Sequence, residues 1–165
     1  MNLAIGIVAV IAAALLQLAV MPAFTIFGVH PNLIIALLIA WMAARGPREA
    51  LVMIPVAGFA IGLLDSQPLG LAMLALAPLT LMTNVRELRL VESDLLPAVL
   101  LAVVATLVYE TVILVSLVVR GERPEWVASI LDVLVPAAIV NALILLPVFG
   151  LIRLASIDLR RPRAF

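Results

Sequence analysis

The sequence contains no cysteine and no lysine, and its one histidine is His30. Without thiols, disulfides and thiolate metal sites are excluded. A lone imidazole excludes histidine metal clusters and paired-histidine relays. Charge is scarce too: 12% of residues are Asp, Glu, Lys or Arg, against about 25% in an ordinary soluble domain. The ten basic residues are all arginines, they balance ten acids, and the net charge is zero. No basic block is present to track a nucleic-acid backbone. The HExxH, GxSxG and P-loop patterns are missing as well. These absences describe a non-enzymatic chain with no cofactor, no metal site and no nucleic-acid partner.

What the sequence does hold is apolar surface: 66% of its 165 residues are hydrophobic and the mean hydropathy is +1.32. A soluble domain of this composition would expose large apolar patches, so the lipid bilayer is the solvent the composition fits. Apolar runs approaching ~20 residues then read as membrane spans. The fold class expected is an all-α, polytopic membrane helix bundle. Six spans fit, at about 3–21, 31–45, 48–64, 69–84, 95–119 and 127–152, all within one integral membrane domain over 1–165. A basic tail follows at 154–165. The second, third and fourth apolar runs are short, which implies local bilayer thinning or a lipid-shielded place inside the bundle. Four or five spans, with the third and fourth runs as a re-entrant pair, is the rival count.

Arginine bias sets the expected orientation. With six spans, one side receives Arg45, Arg48, Arg86, Arg89, Arg153, Arg160, Arg161 and Arg163. The other receives Arg120 and Arg123. Both termini are therefore expected in the cytoplasm. Trp41 and Trp126 fall near span ends, where indole favours the interface.

In that orientation Gln17, Asn32, Asp65, Glu110 and Asp132 share the outer leaflet. A carboxylate at the bilayer centre costs about 2.5–3.5 kcal/mol on insertion scales, so it faces protein or a watery cavity. A small, acid-lined cavity opening outward is the expectation. Each acid also has a simpler reading. Asp65 can cap the fourth helix through its side chain, Glu110 can bond a neighbouring helix, and Asp132 can sit at the interface. Asn141, in mid-span, reads as an interhelical hydrogen-bond donor. Gly58 and Gly62 form a small-xxx-small pair that lets backbones approach. After Asp65, Pro68 and Gly70 turn the chain back into the membrane.

The order of these signals resembles the rod shape-determining protein MreD family. The resemblance rests on Gln17 and Pro22 around the end of the first span, and on Pro31-Asn32-Leu33 opening the second. Gly58, Gly62, Leu63 and Asp65 follow, then Pro68-Leu69-Gly70 before the fourth. It covers roughly residues 14–80. It implies a non-enzymatic component of the cell-wall elongation complex in the bacterial cytoplasmic membrane. The partner implied first is MreC, with RodA, a class B penicillin-binding protein and the actin-like MreB as complex members. It also implies partner contact or packing roles for Gly58, Gly62, Asp65, Pro68 and Gly70. The family is similar in architecture to the substrate-binding S-components of energy-coupling-factor transporters. A vitamin- or metal-binding transporter subunit is the alternative reading.

Overall fold

Apolar runs became helices wherever the chain is described. The computed structural model describes residues 2–65, 68, 70–82 and 95–158. Its elements are α1 (Asn2–Ala19), α2 (Leu33–Arg45), α3 (Pro47–Leu64), α4 (Leu71–Met82) and α5 (Leu95–Val119). Then α6 (Trp126–Ser129), a π-helical turn (Ile130–Leu134) and α7 (Val135–Asp158) run end to end as a sixth rod. Among the described residues the sole β feature is an isolated bridge between Ile26 and Val29.

The helix ends have local causes. α1 stops ahead of Pro22, which has no N–H to continue the i to i−4 ladder, and a 3-10 turn (Met21–Ala23) takes over. Between α2 and α3, Gly46 stands at φ 111, a left-handed value that side chains resist. Pro47 then opens α3 at the first helical position, where its missing N–H costs nothing. α5 closes in a Schellman motif: the Glu122 N–H donates to the Leu117 carbonyl at 3.0 Å and the Gly121 N–H to that of Val118 at 2.9 Å.

α2 is the centre of the bundle. It packs against α1, α3, α5 and α7, and eight of its thirteen residues are buried, on every side of the helix. A helix apolar all round belongs inside. Thirteen residues reach only ~20 Å, short of a hydrocarbon core of ~30 Å. This helix is shielded by its neighbours instead of by lipid. α4 is similarly short, at twelve residues. Among the described residues four rods are long and apolar enough to cross a membrane: Leu3–Ala23, Pro47–Leu64, Leu95–Val119 and Trp126–Ala155. They form a membrane helix bundle around α2.

α3 and α4 pack closely because Gly58 has no side chain. A Cβ there would stand 2.6 Å from the Met73 Cα and 2.8 Å from its Cγ. Gly62, one turn on, is buried. At the α2–α3 corner the Trp41 Nε1–H donates to Glu49 Oε2 at 2.9 Å, and the Arg45 guanidinium lies 4.9 Å above the Trp41 ring.

The helices depart from the sequence expectation at three places. α2 begins at Leu33, so residues 20–32 form a longer irregular entry segment. α7 runs on to Asp158, beyond 152, because no proline or glycine interrupts it there. The sixth rod also contains the π-turn. The expected boundary at 83–84, Leu69, Arg86, Arg89, Arg160, Arg161 and Arg163 lie outside the described residues.

Candidate functional site

The site starts with the amides that open α2. Four N–H groups at a helix start lack an intrahelical partner, and here three elements supply acceptors. Asn32 is the N-cap, its Oδ1 accepting the Ile35 N–H at 3.1 Å. Gln17, near the end of α1, accepts the Ile34 N–H through Oε1 at 3.1 Å. Asn141 on α7 accepts the Asn32 N–H through Oδ1 at 2.7 Å. The Asn141 Nδ2 in turn donates to Thr106 Oγ1 on α5 at 3.1 Å. Asn141 is 1% exposed and Thr106 fully buried. One polar knot thus ties α1, α2, α5 and α7 together.

Its depth is unexpected. Asn141 lies ~22 Å along its rod from Trp126, and Thr106 lies ~17 Å along α5 from Leu95. The knot therefore sits about halfway along both long rods. Asn32 does not open α2 near an end of the bundle. Residues 20–32 descend to the middle of the bundle, because α2 is too short to start higher.

Above the knot is a cavity of about 370 Å³, lined in part by Gln17, His30, Asn32, Asp65, Tyr109 and Glu110. The descent of residues 20–32 makes this space: the short α2 leaves the upper part of its column without a helix. Glu110 lies one turn beyond Thr106, so α5 carries the buried hydroxyl and the cavity carboxylate on one face. Asp65 ends α3, its N–H bonded to the Ile61 carbonyl at 2.8 Å. His30 is exposed, and its Nδ1 lies 3.4 Å from the Phe24 carbonyl.

The structure gathers Gln17, Asn32, Asp65 and Glu110 at this cavity. Asp132 is exposed and stands outside it; Val133 and Ala137, four residues apart on one helix face, line the wall in its place. Among the described residues the Asp65 side chain caps no α4 amide: the Leu74 N–H goes to the Gly70 carbonyl and the Leu71 N–H to that of Pro68. Gly58 packs inside the chain, against α4, and is not open to a partner. Pro68 and Gly70 (φ 93) form the approach to α4. Tyr109 is the lining residue that sequence reasoning missed. A lone tyrosine in an apolar run has no periodic signal of its own. Its placement beside Glu110 was the available clue.

Among the described residues no three His, Cys, Asp or Glu side chains are grouped to hold a metal ion. The arrangement sets two carboxyls beside two amides, a phenol and an imidazole around one concave space.

No curated protein matches the sequence, and no solved structure matches the chain. The family model of rod shape-determining protein MreD matches residues 1–155. With that match spanning nearly all of an apolar helix bundle, the chain is a membrane protein and belongs to the MreD family of rod shape-determining proteins.

Proposed function

We propose that this chain is a non-enzymatic, multi-pass scaffold of the bacterial cell-wall elongation complex. It sits in the cytoplasmic membrane with both termini in the cytoplasm. It binds MreC and so helps to organise RodA and the class B penicillin-binding protein, with MreB on the inner side. The observation that carries this reading is the family match over residues 1–155. Geometry is consistent with it. Arg45, Arg48 and Arg153 lie toward the end where α1 begins, and Arg120 toward the cavity end, as positive-inside orientation requires. The described connections other than residues 20–32 are short, so recognition falls mainly to helix faces, where residues such as Leu74, Leu100, Leu143 and Leu151 are exposed. The family match does not favour the transporter-subunit alternative.

Complementation tests the reading. In a rod-shaped host depleted of its own MreD, expression of this chain is expected to restore rod-shaped cells. Cells that stay round despite membrane-inserted protein at normal abundance would contradict it.

A further inference from the structure

The cavity above α2 has features that scaffolding alone does not use. Asp65 and Glu110 line it, yet neither has a salt-bridge partner among the described residues. No arginine is among the lining residues, and the one basic group there, the exposed imidazole of His30, is paired with the Phe24 carbonyl at 3.4 Å. Tyr109 is only 9% exposed and lines the same wall. Its hydroxyl has no hydrogen-bond partner among the described residues. Yet the one fully enclosed, unbonded side-chain atom among those residues is Arg45 Nε. The Tyr109 oxygen is thus not fully enclosed, and its side chain lines this cavity. Buried polar groups normally find partners, so this hydroxyl and two unpaired carboxylates together mark space prepared for a guest.

The guest's chemistry follows from the wall. Carboxylates only accept hydrogen bonds when ionised, and a phenol oxygen can accept as well. An ionised carboxylate at membrane depth is costly unless it is paired. A donor-rich cation relieves both problems at once. At about 370 Å³ the cavity is at the small end for ligand sites, which suits one alkylammonium or guanidinium group better than a bulky cofactor.

We propose that this cavity binds a cationic nitrogen group, a primary ammonium or a guanidinium, entering at the end where α1 closes and α2 opens. Asp65 and Glu110 meet its charge, and the Tyr109 oxygen accepts one of its N–H bonds. The group belongs either to a small amine or to a basic side chain of a protein partner. The proposal rests on the cavity alone and stands apart from the elongation-complex reading.

The test uses the purified full-length chain in nanodiscs, with N-butylguanidinium as probe and the uncharged, similarly shaped N-butylurea as control. Calorimetric titration is expected to show saturable binding of the cation and none of the urea. Glu110→Gln and Asp65→Asn, both close in shape to the native residues, should each weaken binding by about tenfold or more. Asp132→Asn, outside the cavity, should leave it unchanged. Tyr109→Phe keeps the ring and should weaken binding by a smaller factor, which guards against a misfolded acid variant. Absence of saturable binding would overturn the proposal. So would equal binding of the urea, or binding unaltered in the Asp65→Asn/Glu110→Gln double variant. Once binding is found, the same titration on the complex isolated from native membranes assigns the source. A blocked cavity supports a partner's side chain, and an open one supports a small amine. The free-chain titration needs no partner, so its outcome is independent of whether MreC binds.

Discussion

Gly58→Leu is expected to yield no folded protein, and Gly58→Ala to melt earlier than the native chain. The added Cβ of alanine would sit 2.6 Å from the Met73 Cα and 3.0 Å from its backbone nitrogen. Carbon pairs prefer about 3.5–4.0 Å, so α4 has to retreat by roughly an ångström along its contact with α3. Overpacking of this kind costs about 1–3 kcal/mol. Against it, alanine gains about 1 kcal/mol of helix propensity over glycine. The steric term wins because the obstacle is backbone, which no rotamer change can move aside. Leucine adds three further carbons to the same point. Gly150 on α7 is the control, since a Cβ there meets nothing within 4 Å. Gly150→Ala should keep or raise the melting temperature, propensity being the one term that changes. Thermal unfolding in detergent, read with size-exclusion profiles, checks both. A Gly58→Ala protein as stable as Gly150→Ala would disprove the close α3–α4 contact.

The second large effect is expected at Asn141. Asn141→Leu removes the acceptor of the Asn32 N–H and the donor to Thr106 Oγ1. Both partners are buried halfway along the rods, away from water. Each stranded polar group costs about 1–3 kcal/mol, so the variant should lose about 2–6 kcal/mol. Thr106→Val strands just the Asn141 amide donor. Interhelical hydrogen bonds in membranes average about 0.6 kcal/mol in measured cycles, so a loss near 1 kcal/mol is expected. The ordering is the sharper statement: Asn141→Leu must destabilise more than Thr106→Val in the same melting assay. The reverse order would mean that the knot does not anchor α2.

Much of this architecture was legible before any coordinates, and the reasons are physical. Hydropathy located the helices because an apolar run in lipid has to satisfy its own backbone. The "ARGPRE" corner was readable because a glycine followed by proline stops one helix and starts the next. Asn141 was readable as an interhelical donor because an amide in mid-span needs a partner. Depth was harder to read. Whether α2 starts at the surface or at the bundle centre depends on which residue of α7 faces Asn32, and that is a tertiary fact. Asp132 fell outside the cavity for a related reason. It lies in a π-turn, where the wider coil changes which residues share a face. Periodicity counted at 3.6 residues per turn cannot register that change. Asp65 had two sound local readings, capping or cavity, and only long-range packing, which no local pattern encodes, puts its side chain at the cavity wall. Gly58 meets a neighbouring helix closely, as a small-residue pair suggests, but such a pair does not say whether the neighbour is internal. For Gly58 it is α4.

The most direct measurement is a mild-detergent pull-down of the tagged native chain from its own cells, with partners identified by mass spectrometry. The scaffold reading predicts recovery of MreC, together with RodA or the class B penicillin-binding protein. Recovery of transporter ATPases with a coupling membrane subunit, and no MreC, would contradict it.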